Sequence, residues 1–404
     1  MADLAVLSLH SSPLVQPGTG DSGGMNVYVR ELAAALAQAG VGTTVYVRRW
    51  ADRLPDEVAV EPGFRVVHLN AGPVDLPKEQ LPDTVDEFTA ALVSRLETDP
   101  VDVLHANYWL SGVVGHRVKH RLDLPLVSTF HTLARVKAET GDSEPDRRID
   151  AETEVIGCSD VILANSVEEV SQLQRLYGAD PSRIEVVAPG VEHAFFSPGH
   201  QGGARRALGL SETAPVLLFV GRIQPLKGLQ VAVGALARLG RPDARLVVVG
   251  GPSGTEGEAE LARVQALAAT LGVADRIQWV APQPHHLLST WYRAADVVLV
   301  PSRSESFGLV ALEAAACGTP VVAAAVGGLR TLVDHGRTGL LVDGRDPEAF
   351  AAATREILDQ PGRAAALGQA AAERAQGYTW STAAARLRRI YADLVTRSQV
   401  DCAA

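Results

Sequence analysis

The sequence predicts an α/β protein with two Rossmann-like, doubly wound domains that face a cleft. Short apolar runs rich in Val, Leu and Ile alternate with segments of helical periodicity, which is typical of βαβ units on a parallel sheet. The alternation is interrupted at residues 188–203, where proline and glycine are frequent and no period is evident. We therefore predict an N-terminal domain at 1–195 and a C-terminal domain at 196–379, with a helix of residues 380–404 that returns to the first domain.

The individual strands are predicted from the same apolar runs. The first domain begins with the runs LAVLSLH and TTVYVRR, which flank the helical segment GGMNVYVRELAAALAQAG. Its further predicted strands are 65–70, 102–106, 125–129, 161–165 and 184–187. Those of the second domain are 215–221, 245–250, 277–280, 296–301, 320–324 and 339–342. Ala-rich helices are predicted at 347–358 and 362–376, and a last helix at 380–398.

Composition excludes several classes of protein. The net charge of −10 argues against nucleic acid or an anionic membrane as the main partner, since either favours an excess of Lys and Arg. No apolar run reaches about 18 residues and the N-terminus lacks signal-peptide features, so we expect a cytoplasmic protein. Cys158, Cys317 and Cys402 are too few and too scattered for a disulfide framework or a zinc site, and we expect buried or incidental thiols.

A glycine-rich segment, GTGDSGGMNVYV, follows the first strand and opens a helix. Its glycines let the backbone approach a ligand, and the free amides of the helix N-terminus favour an anion. A dinucleotide oxidoreductase would have a tighter G-x-G-x-x-G and an acidic residue after the second strand. Arg48 and Arg49 stand there instead, which argues against NAD and leaves the 2′-phosphate of NADP as an alternative.

Two cations, Arg222 and Lys227, lie in FVGRIQPLKG after the first strand of the second domain. Such a pair can neutralise a diphosphate and stabilise a departing nucleoside diphosphate without a metal. The pair alone would also suit a solvated basic turn. Its position at the carboxyl end of a strand favours the binding site.

Two carboxylates, Glu305 and Glu313, stand eight positions apart in PSRSESFGLVALEAAACGTPVV. Both can address one cleft at different depths, one holding sugar hydroxyls and the other a ribose diol. The alternative is a pair of surface glutamates on an amphipathic helix. The apolar neighbours Leu309, Val310 and Leu312 fit that alternative poorly.

Together the glycine-rich loop, GR-x₄-K and E-x₇-E resemble retaining glycosyltransferase family 4 over nearly the whole chain. The resemblance implies the B-type glycosyltransferase fold, with the acceptor on the first domain and the nucleotide on the second. It is densest, for example in HTLARVK and LYGADPSRIEVVAPGV, with the branch that moves N-acetylglucosamine from UDP-N-acetylglucosamine to 1D-myo-inositol 3-phosphate in mycothiol biosynthesis. The alternatives are another acceptor or nucleotide sugar in a natural-product pathway, a nucleotide-sugar epimerase, a dinucleotide oxidoreductase and a non-catalytic binder.

The resemblance also assigns roles to individual residues. The catalytic residues are His131, Arg222, Lys227 and Glu305, with His131 as a sugar-binding group rather than a base. The donor-binding residues are Gln16, Pro17, Gly23, Gly24, Arg222, Lys227, Gln283, Glu305, Phe307, Gly308, Leu309 and Glu313. The acceptor-binding residues are His10, Asp21, Asn26, Lys78, Tyr108, Thr132 and Arg148. The last four supply two cations, a phenol and a hydroxyl, which suit a phosphate dianion.

The implied partners are a UDP-sugar donor and a phosphorylated cyclitol acceptor, with neither nucleic acid nor membrane, and a homodimer is inferred from relatives alone. The chemistry of the family requires no cofactor, and relatives are credited with a Mg²⁺ site. Its matching positions are Tyr292, Arg293, Ala295 and Thr319. Since these side chains are not ligands for hard cations, only backbone carbonyls or the Thr hydroxyl could contribute.

The chain departs from the resembled pattern beside the acceptor tyrosine. The segment expected to read SHYWLSGQVG reads ANYWLSGVVG, so that Asn107 replaces an imidazole and Val113 replaces a polar amide. Asn107 cannot titrate, and Val113 cannot form a hydrogen bond with its side chain. If both face the cyclitol ring, the acceptor differs from inositol phosphate.

Overall fold

The computed structural model describes residues 3–18, 20, 22–142 and 144–402. Asp21, a predicted acceptor-binding residue, lies outside the described residues. The chain divides into two compact units. The first contains the described parts of 1–15, 25–188 and 380–404, and the second those of 16–24 and 189–379. The division after the first unit thus falls at residue 188 rather than at the predicted 195, and the described residues of 16–24, with the glycines of the glycine-rich segment, group with the second unit.

The first unit is built on one eight-stranded sheet. Its strands are β1 (Asp3–Leu7), β2 (Gly42–Arg48), β3 (Glu57–Glu61), β4 (Phe64–Leu69), β5 (Val103–Asn107), β6 (Leu126–Thr129), β7 (Val161–Ala164) and β8 (Ile184–Val186). They lie in the order β3-β4-β2-β1-β5-β6-β7-β8, and all pairs are parallel except β3 with β4. We did not predict β3, because its sequence EVAVE carries a charge at each end and forms only an antiparallel edge.

The second unit has a six-stranded, fully parallel sheet. Its strands are β9 (Val216–Val220), β10 (Arg245–Val249), β11 (Ile277–Val280), β12 (Val297–Val300), β13 (Val321–Ala324) and β14 (Leu340–Val342). They lie in the order β11-β10-β9-β12-β13-β14. Every strand predicted by its range is present with ends within one residue of the prediction. Because all but edge strands are covered on both faces, their uninterrupted apolar runs made them easy to predict.

Helices cover the faces of both sheets. In the first unit they are α1 (Gly24–Gln38), α2 (Val85–Thr98), α3 (Trp109–Leu122), α4 (Ala134–Glu139), α5 (Asp146–Cys158) and α6 (Val167–Tyr177). In the second unit they are α7 (Gln201–Ala207), α8 (Leu229–Arg238), α9 (Gly257–Thr270), α10 (Leu288–Ala294), α11 (Leu309–Ala316), α12 (Leu329–Leu332), α13 (Pro347–Asp359) and α14 (Pro361–Ala375). The last helix is α15 (Trp380–Leu394), four residues shorter than the predicted 380–398. Of the residues described, no helix is long and apolar enough to cross a membrane.

Helix α15 completes the core of the first unit. Trp380, Leu387 and Tyr391 are buried in the cluster formed by β1, β2 and α1. The Tyr391 hydroxyl also lies 2.8 Å from Nδ1 of His105, a fully buried residue of β5. The buried face of α15 is therefore part of the first unit's interior.

A disulfide joins Cys158, at the end of α5, to Cys402, with their Cα atoms 5.2 Å apart. Cys317 is a buried free cysteine. The expectation of three unpaired thiols is therefore wrong for two of them. A separation of 244 residues concealed the pairing, because only the return of α15 to the first unit brings Cys402 near Cys158.

Candidate active site

In each sheet the strand order reverses beside the first strand of the unit, at β1 and β5 in one and at β9 and β12 in the other. Crevices outside the carboxyl ends of strands at such switch points are where open α/β sheets bind ligands. Most of the predicted site residues follow these strand ends. The two halves are described in turn.

Two site residues of the first unit have a strained backbone. Tyr108, directly after β5, has φ of 75°, and His131, two residues after β6, has φ of 61°. Of the described non-glycine residues only Asp123 shares this sign of φ. Such conformations cost on the order of 1–3 kcal/mol and concentrate at functional sites. The strain therefore supports these two positions as site residues.

His131 is held as a neutral imidazole. Its Nε2 lies 2.8 Å from Oδ1 of Asn107. Because this amide oxygen can only accept a hydrogen bond, Nε2 carries the proton and donates it. Burial, with a smaller effect of His105, lowers the pKa of His131 to about 3. The ring of Tyr28 packs edge-on at 4.8 Å between centroids. A neutral, positioned imidazole suits sugar binding and not a base that titrates near pH 7.

Arg148 is the centre of the predicted phosphate site. It is buried on α5, and its guanidinium donates to both the carbonyl and the hydroxyl oxygen of Thr132, each at 3.0 Å. The guanidinium also lies over the ring of Tyr108, 5.0 Å from its centroid. Three of the four predicted phosphate-binding residues are thus in direct contact.

Two carboxylates that we did not predict neutralise Arg148. Glu152, fully buried, accepts from Nε at 2.8 Å, and Glu144 lies 3.0 Å from Nη1. Glu144 also contacts the ammonium group of Lys137. Burial would raise the pKa of Glu144, but the charges of Arg148 and Lys137 outweigh it and lower the pKa, so that Glu144 is ionised. Carboxylates of the protein itself therefore already neutralise the cation that is predicted to bind the acceptor phosphate.

The remaining predicted acceptor residues have different surroundings. The ring of His10 packs against Tyr108, with centroids 4.3 Å apart. Asn26 is buried, and its amide donates to the carbonyl of Ser12 at 2.7 Å, so that it holds the loop after β1. Lys78 is exposed at the start of a 3₁₀ helix, Lys78–Thr84. The structure thus gathers His10 with Tyr108, Thr132 and Arg148.

In the second unit, Lys227 and Glu305 form an ion pair with Nζ 2.5 Å from Oε1. Ser302 donates a further hydrogen bond to the same oxygen at 2.9 Å. Lys227 ends a 3₁₀ turn, and the next residue, Gly228, has φ of 73°. A Cβ at Gly228 would lie 2.1 Å from the carbonyl oxygen of Pro301, so this turn requires glycine. The ion pair is therefore fixed by the loops that follow β9 and β12.

The glycine-rich segment packs on the loops of the second unit. A Cβ at Gly23 would lie 2.9 Å from Nε of Arg222, and one at Gly24 would lie 3.5 Å from Leu309. Gln16 donates to the carbonyl of Pro282 at 3.0 Å. Its neighbour Pro17 is half-buried. Glycine at position 23 thus permits the close approach of the guanidinium predicted to bind the diphosphate.

Glu313 is buried on α11, and both of its oxygens are engaged. Oε1 lies 2.7 Å from Nε2 of His285, and Oε2 accepts from the hydroxyl of Tyr292 at 2.7 Å. Burial and the Glu313 charge raise the pKa of Tyr292 well above its usual value, so the phenol stays a donor. Sequence reasoning missed His285, because it is far from Glu313 along the chain. A surface helix, the alternative interpretation of the two glutamates, does not fit this buried carboxylate.

The other predicted donor residues lie on neighbouring loops. Gln283 follows β11, and its side-chain amide donates to the carbonyl of Ala281 at 2.9 Å. Phe307 is buried, and Gly308 is the N-cap of α11, directly before Leu309. These residues, which the family resemblance assigned to the donor, therefore follow the carboxyl ends of β11 and β12.

The four residues assigned to Mg²⁺ do not supply fitting side chains. The Tyr292 phenol donates to Glu313, and the Thr319 hydroxyl lies 2.7 Å from the carbonyl oxygen of Tyr292. The cation of Arg293 donates to the carbonyl of Ser197 at 2.7 Å, and the carbonyl of Ala295 accepts from Gln201 at 3.0 Å. A hard cation prefers carboxylates and free carbonyls. These residues do not fit the ion, and no step below uses a metal.

The two arginines on which the NADP alternative depends, Arg48 and Arg49, have partners within the protein. The Arg48 guanidinium is buried and donates to the carbonyl of Pro73 at 2.7 Å. Arg49 donates to Asn70 at 2.8 Å and pairs with Asp56. Both arginines are engaged within the first unit, so neither stands ready for a 2′-phosphate.

Comparison with known proteins agrees with this geometry. Residues 22–195 match the family described as Glycosyltransferase Family 4, and residues 202–374 match Glycosyl transferases group 1. A D-inositol 3-phosphate glycosyltransferase of Thermobispora bispora is 48% identical, over 98% of this chain and 95% of that protein. One of Actinosynnema mirum is 48% identical, over 97% of each chain.

Solved structures show the same architecture. The sucrose-phosphate synthase of Thermosynechococcus elongatus superposes with a TM-score of 0.94 at 33% identity, over 98% of this chain and 100% of that one. A protein from Anabaena crystallised with UDP and glucose has a TM-score of 0.79 at 19% identity, over 97% of this chain and 100% of that one, which shows the fold alone. The chain therefore belongs to glycosyltransferase family 4 and is a glycosyltransferase with the two-domain, B-type α/β fold.

Proposed function

We propose that the enzyme transfers N-acetylglucosamine from UDP-N-acetylglucosamine to 1D-myo-inositol 3-phosphate, with retention of the anomeric configuration. The first unit binds the acceptor and the second binds the donor. The relatives named D-inositol 3-phosphate glycosyltransferase, at 48% identity over nearly the whole chain, support the acceptor. The observation that carries the proposal is the buried Arg148, in contact with Thr132 and Tyr108.

The donor diphosphate replaces the Glu305 carboxylate on Lys227. Lys227 and Glu305 are only partly exposed, so an anion that reaches Lys227 has to displace its partner. Glu305, still held by Ser302, then accepts hydrogen bonds from the hydroxyls of the sugar. With Arg222, Lys227 neutralises the charge that develops on the departing UDP.

The acceptor phosphate replaces the Glu144 carboxylate on Arg148. Glu152 keeps the guanidinium in place, because it is fixed by the backbone amide of Ala134 at 2.9 Å and by the hydroxyl of Tyr177. A phosphate dianion carries more charge than the carboxylate it displaces and can accept from Arg148 and Thr132 together. The exchange makes the site selective for a phosphorylated acceptor.

Retention proceeds by front-face substitution. The second unit supplies cations for the leaving diphosphate, and His131 of the first unit is neutral and hydrogen-bonded to Asn107. The leaving phosphate oxygen takes the proton of the incoming hydroxyl, and Lys227 and Arg222 stabilise the charge that remains. His131 orients the transferred sugar without changing its own protonation.

The two departures from the resembled pattern do not argue against inositol phosphate. Asn107 is only 1% exposed, and its side chain is directed to His131. Val113 packs against the apolar cluster of α2, α3 and β5. The Asn107 side chain is therefore not available to distinguish one acceptor ring from another, and Val113 offers only apolar contact. An acceptor of a natural-product pathway remains the second candidate, because the family supports several acceptors on one fold.

The decisive measurement is UDP release from UDP-N-acetylglucosamine, with and without 1D-myo-inositol 3-phosphate. We expect release only with the acceptor, together with formation of the disaccharide phosphate, and far slower release with unphosphorylated myo-inositol. Release without any acceptor favours an epimerase or hydrolase. Release that appears only with another cyclitol favours the second candidate. We also propose, from the family resemblance, that the enzyme is cytoplasmic and forms a homodimer. Analytical ultracentrifugation of the purified protein tests the oligomeric state.

A further inference from the structure

Two histidines lie beside the disulfide of the first unit. His116 and His120 are four residues apart on α3 and therefore face the same side of that helix. One ligand atom from each of His116, His120, Cys158 and Cys402 lies within 4.8 Å of the others. Nε2 of His120 is 3.1 Å from Sγ of Cys402 and 3.9 Å from Sγ of Cys158.

The cluster also has the supporting contacts of a metal site. Nδ1 of His116 lies 3.3 Å from a carboxylate oxygen of Glu154, which leaves Nε2 as the ligand nitrogen. Histidines that bind metals usually donate their other N–H to a carboxylate in this way. Cys158 is buried, whereas His120 is exposed, so an ion can enter from the surface.

Cys402 is positioned by more than the disulfide. The backbone amide of Val400 donates to Asp160 at 2.6 Å, and Asp160 is paired with the buried Lys119 at 2.7 Å. Gln399 donates to the carbonyl of Asp123 at 2.8 Å. The segment 399–402 therefore stays close to α3 and α5 after the disulfide is broken.

We propose that His116, His120, Cys158 and Cys402 bind one Zn²⁺ when the disulfide is reduced. A dithiol reductant supplies two electrons and two protons, giving two cysteine thiols and the disulfide of the reductant. Zn²⁺ then displaces the two thiol protons and is bound by two thiolates and two imidazoles. Two thiolate charges balance the ion, and S₂N₂ is a preferred tetrahedral donor set for zinc.

The distances suit this exchange. With Zn–S of about 2.3 Å and Zn–N of about 2.0–2.1 Å, tetrahedral ligand atoms lie roughly 3.3–3.8 Å apart. On reduction the two sulfurs move apart to this distance. The most distant ligand atoms, now up to 4.8 Å apart, move slightly closer together. Disulfide and zinc are thus two alternative ways to fasten the segment 399–402 to α3 and α5, one for oxidising and one for reducing conditions.

Metal titration of the full chain tests the proposal. The protein is reduced with dithiothreitol, desalted without oxygen and titrated with Co²⁺ and then Zn²⁺. We expect one equivalent of Co²⁺ with intense visible and thiolate charge-transfer absorption, and its replacement by Zn²⁺. The oxidised protein should bind neither ion and should show one free thiol after denaturation, against three in the reduced protein.

Variants separate a built site from adventitious binding. Cys402→Ser, which leaves one thiolate of the pair, should bind Co²⁺ far more weakly and with smaller thiolate bands, His120→Ala should also bind far more weakly, and Glu154→Gln should weaken Zn²⁺ binding about 10- to 100-fold. Cys317→Ala, which removes the buried thiol elsewhere, is the matched control and should bind as the unmodified chain does. The absence of stoichiometric Zn²⁺ from the reduced chain, or unchanged binding by Cys402→Ser, overturns the proposal. Neither result bears on transfer activity, which is measured separately.

Discussion

Lys227 and Glu305 are bound to each other through a 2.5 Å contact between Nζ and Oε1. The cation assigned to the donor diphosphate thus neutralises the carboxylate assigned to the donor sugar. Each is held ready for the ligand group that replaces its partner, and neither is left as a lone charge in a partly buried loop.

Substitutions in the two units should separate donor from acceptor binding. We expect Lys227→Ala to weaken UDP binding and to lower kcat by about 10²- to 10³-fold, the usual effect of removing one charge-stabilising group. Arg148→Ala and Lys78→Ala should raise KM for the acceptor and leave UDP binding unchanged. Calorimetry with UDP and steady-state kinetics give both values.

The control for these substitutions is Arg241→Ala, which breaks an exposed ion pair with Asp359 at 3.0 Å. It should change neither constant. Equal losses of donor and acceptor binding in Lys227→Ala and Arg148→Ala would contradict the assignment of one ligand to each unit.

Removing the internal anion should strengthen acceptor binding. In Glu144→Gln the phosphate no longer displaces a carboxylate from Arg148, so we expect KM for the phosphorylated acceptor to fall about tenfold, equivalent to about 1.4 kcal/mol. Turnover of unphosphorylated myo-inositol should not change. Glu139→Gln, which breaks an exposed pair with Arg175, is the control. A higher KM in Glu144→Gln would mean that Glu144 positions Arg148 and does not compete with phosphate.

A carboxylate beside His131 should introduce a pH dependence. His131 has a pKa of about 3, so kcat/KM of the unmodified enzyme should show no ionisation of this residue between pH 5 and 8. Asn107→Asp places a carboxylate next to the Nε2–H of His131. This negative charge should raise the pKa of His131 by about 1–3 units, to roughly 4–6. An acid-side inflection in kcat/KM should therefore appear only in Asn107→Asp. If the unmodified enzyme already titrates near pH 6.5 and His131→Gln removes that inflection, the neutral imidazole is disproved.

Glu169 should make stability depend on pH. It is buried on α6, where two hydrogen bonds from Asn165 do not offset burial, and its pKa is raised from 4.5 to about 7. The folded state therefore binds this proton more tightly than the unfolded state does. The contribution of protonated Glu169 to the free energy of unfolding is complete below pH 4.5 and is lost as the pH rises to 7. The loss amounts to about 3 kcal/mol, at 1.36 kcal/mol per unit.

Glu169→Gln removes this titration. The difference in unfolding free energy between Glu169→Gln and the unmodified chain should therefore grow in favour of the variant from pH 5 to pH 8, while other groups cancel in the comparison. Urea unfolding at the two pH values measures it. A difference that does not change with pH means that Glu169 titrates in the ordinary range.

Gly228 should not tolerate a side chain. Gly228→Ala combines a left-handed conformation with a Cβ that would meet the Pro301 carbonyl at 2.1 Å. Gly240→Ala is a matched control, because it has φ of 72° with nothing near the added Cβ, and should cost only about 1 kcal/mol. We expect a lower melting temperature and weaker UDP binding in Gly228→Ala than in Gly240→Ala. Equal effects would show that the loop yields without cost.

The sequence predicted the parallel strands and, through the family resemblance, the site residues that follow strand ends. The strands predicted by their ranges end within one residue of the observed ones, since buried parallel strands form continuous apolar runs, whereas the first predicted strand runs three residues past β1. Arg148, Thr132 and Tyr108 were predicted through the family resemblance, and the structure brings them into contact. Their roles with ligands stay predictions.

Pairings over long sequence separations were beyond the sequence. Glu144 and Glu152, by contrast, stand four residues before and after Arg148, a local spacing that permits contact with it, and the sequence analysis overlooked this signal. The pairing of His285 with Glu313 and the disulfide of Cys158 with Cys402 were missed because the partners are 28 and 244 residues apart in the sequence. The edge strand β3 lacked an apolar run and left no signal.

The return of α15 has a consequence for the order in which the protein acquires its structure. During synthesis the ribosome releases β1 to β8 long before Trp380, Leu387 and Tyr391, which belong to the same apolar interior. The first half of the chain must therefore wait with an uncovered face while about 190 residues of the second unit are made and fold as a unit of their own. A nascent chain stopped before residue 380 should accordingly engage chaperones through its first-made half, although that half is the earliest to leave the ribosome.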